Sequence, residues 1–452
     1  MRSRGKRAKT RRATSSKAGR IGPIKEITTN REVTLHVLNE TIRVLEKDHP
    51  KTRRTAIEKM ALRTASQWST QRDELIGKLQ RAQELTQHEP MVRAVRTAAR
   101  GLPEREPELY LPRNRAVALI QSAMDEYMEQ KKPKALKLAA SEDSTTFSDQ
   151  FEPDDPGWIT VALQKLKNLF TGNARFISHK STSDFLFNLE AQAKIALVAD
   201  WGTGTPSALA VAAQIKAQNP DHVIHLGDVY YAGTKDEVEN RFLSIWRGLQ
   251  IPAQFWALNS NHEMYSGGHG YFEKTLKEFK QPASYFSLEN ENWRFIGLDS
   301  GYVDHNLNKE QVQWLNAQLS DDSPKTFLMT HHQLFSAYED QGDRMEEKVA
   351  PHLNDGTIFG WFWGHEHACI IFEQYKNIYA RCIGHGGLPF EIPAAQPPNA
   401  DVPVKFVDRR PRPDKPSRGI QGFASLTVDG PNLHVDYIDQ DGTVVFSEDF
   451  TK

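Results

Sequence analysis

The stretch "HVIHLGDVYYAG", residues 222–233, decides how this chain is read. An apolar run closes on Gly227 and Asp228, then gives way to two tyrosines and a small-residue turn. A strand buried on both faces has this pattern. The acid at its exit is either a turn residue or a metal ligand. Neighbouring segments repeat the pattern. "KIALVADWGTG" (194–204) is a second apolar run ending on an acid, Asp200, and "SALAVAAQIKAQ" (207–218) after it is helical in character. "VENRFLSIWRGL" (238–249) is helical again, and "QFWALNSNHEMYSGG" (254–268) is a third run ending in polar residues. This βαβ rhythm predicts an α/β fold whose ligands sit beyond the carboxyl ends of the strands.

Further runs follow in "WRFIGLDS", "KTFLMTHHQLFS", "IFGWFWGHEHACII", "IYARCIGHGG" and "GFASLTV". A hairpin follows in "LHVDYIDQDGTVVFSEDF", with an Asp-Gly turn signal. The Pro-rich segment 388–419 is expected to be a surface loop. Upstream the character differs. Leu35, Leu38, Ile42 and Leu45 recur at spacings of three and four, Ile57 and Ala61 continue the pattern, and Leu75, Leu79 and Ala82 carry another segment. "MVRAVRTAARGLP" ends on Gly101 with a proline behind it, a helix stop, and "RNRAVALIQSAMDEYMEQKK" is one more amphipathic helix. The expected organisation is therefore a basic, disordered tail over 1–30, a helical domain over 31–132 and a linker over 133–157. A connecting helix and lead-in over 158–189 then precede a catalytic domain over 190–452.

With 452 residues the chain is too long for one hydrophobic core. Its 57 basic and 58 acidic residues balance, but residues 2–20 hold nine Lys or Arg and no acid. Such a tail is a solvated terminus or, less favoured, a nucleic-acid contact made by counterion release. The basic start is followed by no apolar stretch of the kind a signal peptide carries, and no run approaches the roughly 18–20 apolar residues of a membrane span. A cytoplasmic protein without membrane partners is the expectation. Cys369 and Cys382 are too few for a disulfide framework and read as buried free thiols.

The chemistry lies in five strand exits that close on metal-ligand residue types: Asp200, Asp228, Asn261 with His262, His331 with His332, and His365 with His367. Singly, each has a bland reading as a cap, turn or hydrogen-bonded loop residue. Five at one edge of a sheet are not independent. A pair of metal ions about 3.5–4 Å apart needs one bridging carboxylate and further oxygen and imidazole ligands divided between the ions. Such a pair clamps a phosphoryl group and lowers the pKa of bound water, so that hydroxide exists near neutral pH. In "GHEH" the period-2 rule puts His365 and His367 on one side and Glu366 on the other.

The series "DWG", "GDVYY", "NHE", "THH", "GHEH" resembles the calcineurin-like metallophosphoesterase superfamily, and in two details its purple acid phosphatase branch. Gly202 stands where most relatives have His, and Tyr231 lies three residues after the bridging Asp228. The resemblance covers roughly residues 190–390. It implies a four-layer α/β/β/α sandwich preceded by an all-α N-terminal domain. It further implies that Asp200, Asp228, Tyr231 and His367 hold one ion, suited to iron. Asp228, Asn261, His331 and His365 would hold a second, suited to zinc, iron or manganese. His262 would act as general acid, with Glu263 orienting it. In "THHQ" the motif gives the ligand role to His331 and turns His332 toward solvent or the mouth. Departures are Ser260 for Gly, Ala199 for Gly and Gln333 for Pro. Asp299 reads equally as a residue supporting the ligands from behind or as a turn residue, His269 and His385 as structural or solvated loop residues, His225 as a core residue, and Tyr230 as packing or pocket wall. The implied activity is phosphate-ester hydrolysis, with a phosphomonoesterase favoured over a phosphodiesterase or nuclease. A metal-free scaffold is the rival of another class.

Overall fold

The computed structural model describes residues 172–320 and 324–452, the helical stretches 76–87 and 114–122, and a few helical positions between 35 and 73. The expectations for the basic tail, for Leu45, Ile57, Ala61, Leu75 and Gly101, for the linker 133–157 and for the helix after Gly157 lie outside these residues. Where the N-terminal helices are described, the apolar spacing does what its period demands. Leu38, Ile42, Leu79, Ala82 and Ala116 to Ile120 are buried, and Gln83 Nε2 donates to Asn39 Oδ1 at 2.7 Å.

Two sheets form the centre of the downstream unit. One has six strands in the order β14-β13-β12-β2-β3-β4: β2 (Gln192–Val198), β3 (His222–His225), β4 (Gln254–Ala257), β12 (Gly422–Asp429), β13 (Asn432–Asp439) and β14 (Val444–Thr451). The other has eight in the order β1-β5-β6-β7-β8-β10-β9-β11: β1 (Leu186–Asn188), β5 (Phe286–Glu289), β6 (Trp293–Gly297), β7 (Lys325–Thr330), β8 (Ile358–Trp363), β9 (Cys369–Phe372), β10 (Tyr379–Ile383) and β11 (Val404–Val407). Their inner faces meet through Ile195, Leu197, Phe286, Phe295, Phe327, Phe362, Ile383, Leu426 and Val435. Outside the six-stranded sheet lie α1 (Pro206–Ala217) and the helical stretch 235–249, packed through Val211, Ile215, Phe242 and Trp246. Outside the eight-stranded sheet lie α2 (Lys309–Gln318) and α3 (Asp343–Asn354), packed through Trp314, Leu315, Met345 and Val349. The layers are α/β/β/α, as expected.

Local chemistry explains the element ends. Thr205 caps α1 by accepting from the Ala208 amide, and Pro206 occupies the first turn, where a missing N–H costs nothing. The hairpin β13–β14 forms, Tyr437 opposite Phe446, with a register shift between Tyr437 and Ile438 and Gly442 at φ 86° in its turn. Two boundaries differ from the sequence reading. Leu189 is in the core and β1 pairs in parallel with β5, so the packed unit begins before residue 190. The Pro-rich segment is not only loop: β11 pairs with the edge of β9. The strand itself, Val-Lys-Phe-Val, holds no proline; Pro403 stands just before it, and an edge strand tolerates a proline at its start.

Three parallel strands of one sheet (β2, β3, β4) and three of the other (β6, β7, β8) run side by side in register. Their carboxyl ends therefore emerge along one rim, and the candidate ligands are the residues that leave it.

Candidate metal centre

Asp200 follows β2, Asp228 follows β3, Asn261 follows β4, His331 follows β7 and His365 follows β8. Asp200, Asp228 and His365 all take positive φ, at 56°, 78° and 65°. An L-residue in that region costs on the order of 1–3 kcal/mol, a strain that clusters at functional sites. Gly227, at φ 105°, permits the approach of the loops: a Cβ there would lie 2.8 Å from Ser260 Cβ and 3.0 Å from His331 Nδ1.

On one side of Asp228 stand Asp200, His367 and a phenol. His367 Nε2 lies 3.4 Å from Asp200 Oδ1, and these three residues have their ligand atoms within 4.8 Å of one another. The phenol is that of Tyr230. Its hydroxyl is 2.8 Å from Asp228 Oδ2, 3.0 Å from Asp200 Oδ1 and 3.3 Å from His367 Nε2. This corrects the assignment of Tyr231. The Tyr231 ring instead lies against the Arg241 guanidinium at 5.6 Å, and its amide donates to Glu237. The D+3 spacing misleads because the chain turns as it leaves Asp228: Tyr230 N donates to Gly202 O. Gly202 itself has no room for a side chain, since a Cβ would sit 2.6 Å from Val229 Cα. No imidazole fits at that position, and the phenol is the donor that enters from this flank.

On the other side of Asp228 stand His331, His365 and Asn261. His331 Nε2 is 3.3 Å from Asp228 Oδ1 and 3.2 Å from His365 Nδ1. His331 Nδ1 donates to the Leu226 carbonyl at 3.0 Å, which fixes the tautomer and leaves the Nε2 lone pair facing the carboxylate. Asn261 Nδ2 donates to Tyr265 Oη, while its Oδ1 is buried without a partner. The GHEH residues are not extended, as the period-2 argument supposed; they lie in a turn after β8. Glu366 nonetheless turns away, accepting from Ser336 Oγ at 2.6 Å, and burial raises its carboxyl to about 8.

His262 has its Nδ1 2.6 Å from the Tyr231 carbonyl and its Nε2 3.8 Å from Asp228 Oδ2. Burial lowers its pKa. Glu263 does not orient it. Its carboxylate pairs with Ser260 Oγ and accepts from the Asp228 amide at 3.3 Å, and burial with the nearby Asp228 raises it to about 8. Ser260, the departure from Gly, supplies a hydroxyl to both Glu263 and Asp228. The Tyr231 carbonyl takes the orienting role instead.

His332 is fully buried, not turned to solvent, and its Nδ1 is 2.9 Å from Ser300 Oγ. His305, which carries no signal in the sequence, lies against it, the ring centroids 3.9 Å apart and the planes tilted by 41°. Asp299 is a turn residue: its Oδ1 accepts from the Gly301 and Tyr302 amides and from Asn259. His269 pairs with Glu273 at the surface, and His225 is buried beside Phe242. His385 is buried too. Cys369 and Cys382 are free and buried, as expected.

The donor set fits cations. One phenol proton cannot serve two buried carboxylates, so Asp200 and Asp228 cannot both ionise there without a cation to balance them. Burial and the neighbouring Asp228 push Asp200 well up. Burial works against the charge on Asp228 as well, yet His262, His331 and His365 hold it below the ordinary carboxylate range. The orphaned Asn261 Oδ1 completes a set of oxygen and imidazole donors on both sides of one carboxylate.

Residues 193–369 match the family model described as calcineurin-like phosphoesterase. This part of the chain is a calcineurin-like phosphoesterase domain. Across 170 residues the chain is 28% identical to a probable cyclic nucleotide phosphodiesterase of Synechococcus sp., a match covering 36% of this chain and 60% of that protein. The match thus spans less than two thirds of that relative's length. Among solved structures, it is similar to a purple acid phosphatase from yellow lupin (Lupinus luteus) seeds, with TM-score 0.47, 18% identity and coverage of 58% and 54% of the two chains. It is similar also to a dimetal phosphatase from Danio rerio, with TM-score 0.41, 13% identity and coverage of 57% and 98%. Among the described residues of the phosphoesterase domain and the N-terminal helices, no helix is long and apolar enough to cross a membrane.

Proposed function

We propose that the phosphoesterase domain is a dinuclear-metal-dependent hydrolase of phosphate esters. The observation that supports it most is Asp228, whose two oxygens face different donor sets: Oδ2 the Tyr230 phenol, Oδ1 the His331 imidazole. Asp200, Asp228, Tyr230 and His367 would hold the first ion. Asp228, Asn261, His331 and His365 would hold the second. Bound there, the ions would supply Lewis-acid polarisation of a phosphoryl group and a water of lowered pKa.

The remaining steps belong to the chain. His262, with Nδ1 on the Tyr231 carbonyl, presents Nε2 to the cluster and would pass a proton to the leaving oxygen. The negative charge of a phosphate favours the protonated ring. Ser260 and Glu263 hold Asp228 in place from behind. An oxygen-rich first site with a phenol suits iron(III), and the second suits zinc, iron(II) or manganese. The helical region over 31–132 would be a separate domain, joined through the linker 133–157 and the chain that precedes β1.

A phosphomonoester is the favoured substrate, on the strength of Gly202 and a phenol in place of an imidazole. A diester is the second reading, favoured by the named activity of the Synechococcus relative. The test is metal content of the purified full-length protein together with rates on p-nitrophenyl phosphate, bis-p-nitrophenyl phosphate and 3′,5′-cyclic nucleotides. Faster turnover of the monoester supports the first reading, and the reverse order supports the second. Absence of bound metal and of all hydrolysis would sink both.

A further inference from the structure

Beside the proposed dinuclear centre, three imidazoles converge that the ligand assignment uses only in part. His305, His332 and His365 have one ligand nitrogen each within 4.8 Å of the others. Their ring centroids are 3.9 Å apart for His305 and His332, 4.8 Å for His332 and His365, and 5.2 Å for His305 and His365. They come from three places in the chain: a turn after β6, the exit of β7 and the exit of β8.

In each ring Nδ1 is engaged. His305 Nδ1 is 2.9 Å from Asp304 Oδ1, His332 Nδ1 is 2.9 Å from Ser300 Oγ, and His365 Nδ1 is 3.2 Å from His331 Nε2. That leaves the three Nε2 atoms for whatever lies among the rings. His332 Nε2 is buried and has no partner. An unpaired buried nitrogen costs about 1–3 kcal/mol, so simple packing of three histidines does not account for it. A carboxylate or hydroxyl on the far nitrogen is also the arrangement that orients an imidazole toward a metal and raises its basicity.

We propose that His305, His332 and His365 form a third metal site, for a borderline divalent cation such as Zn2+, adjoining the dinuclear centre. Two neutral imidazoles, His305 and His332, with the bridging imidazolate of His365 suit zinc, at about 2.0–2.1 Å per bond. Tetrahedral ligands at that distance are about 3.4 Å apart, so the rings close inward by roughly an ångström. The half-exposed turn that carries His305, against the fully buried His332, is the part able to move. The proposal rests on the dinuclear reading through His365, which serves the second ion by Nδ1 and the third by Nε2. With all three ions bound, His365 gives up its remaining ring proton to water.

The test is a count of ions. Metal-free full-length protein is dialysed against Zn2+ and its bound zinc measured by elemental analysis, for the wild type, His305→Ala and Asp304→Asn. The expected result is three ions per chain in the wild type and two in His305→Ala. Asp304→Asn, which keeps the ligand and loses its orienting carboxylate, should bind the third ion about 10–100-fold more weakly. Two ions in the wild type, or equal counts in the wild type and His305→Ala, would overturn the third site and leave the dinuclear reading intact. Fewer than two in the wild type would overturn both.

Discussion

A phenol donates one proton, yet the Tyr230 hydroxyl faces two buried carboxylates. Burial, then Asp200 and Asp228, push its pKa well above that of a free tyrosine, because a third negative charge in that space is opposed by the two already there. A trivalent cation among the same oxygens reverses the sign: it takes the phenol as a phenolate and makes the pair of acids favourable. That reversal gives a readout at the level of one oxygen atom. Loaded with iron under air, the protein should absorb visible light through an iron(III) phenolate band. Tyr230→Phe should abolish the band, whereas Tyr231→Phe should keep it, since the Tyr231 ring lies on Arg241. Absorption spectra with iron content measured on the same samples check this. Bleaching by Tyr231→Phe alone would return the ligand role to that residue. A colourless, fully active zinc or manganese enzyme would remove iron and keep the cradle.

Between the elements, the two sheets are held by more than apolar packing. Arg381 on β10 crosses to β14, where Nη2 and Nε each lie 2.6 Å from an oxygen of Glu448, and Tyr437 on β13 adds its hydroxyl at 2.8 Å. Arg381 is 1% exposed, so its charge has no water to fall back on. Breaking a buried pair on one side leaves the other charge uncompensated, at a cost of about 3–5 kcal/mol, whereas replacing both partners by apolar residues is often neutral. Glu448→Leu should therefore lower unfolding stability in urea by about 3–5 kcal/mol. The double change Arg381→Met with Glu448→Leu should recover most of it. Equal losses in the single and double variants would show that shape, not charge, joins the sheets here. This pair was not legible in the sequence, because Arg381 and Glu448 are 67 positions apart and carry no motif. The strands themselves were legible: β-branched and aromatic runs such as Lys194–Ala199 and His222–Leu226 end in abrupt polarity. Helices α2 and α3 were not, since each buries few apolar residues, Trp314 and Leu315 in one, Met345, Val349 and Leu353 in the other. Five strand exits could be named because their residue types are rare together. What each side chain faces could not, because Asp228, the two tyrosines and the GHEH turn all leave the strand period where spacing arguments apply.

At the scale of the whole molecule, a side chain of the helical region upstream reaches the candidate centre. Arg115, from the helical stretch 114–122, donates from Nε to the Tyr265 carbonyl at 2.7 Å. Tyr265 ends the short turn Asn261–Met264, which begins at the Ser260 cap and carries both Asn261 and His262. The Tyr265 hydroxyl accepts from Asn261 Nδ2, and its ring lies 4.7 Å from that of His262. A cation on the carbonyl at the end of this turn satisfies an acceptor that a helix terminus leaves open, and it fixes the ring on which Asn261 and His262 lean. Hydrogen bonds to charged groups contribute about 1.5–3 kcal/mol. Arg115→Met keeps the aliphatic stem and removes the donor, so it should cost part of that stability and loosen Asn261 Oδ1 from the position facing the second ion. The expected outcome is a weaker second metal ion, by about 10-fold, the low end of what losing a supporting contact costs a metal site, in a chelator competition on the full-length protein, with partial recovery in Arg115→Lys. A merely structural contact would lower the melting temperature and leave metal affinity unchanged. In that event the helical region would be an appendage packed on the phosphoesterase domain and not a support for its centre.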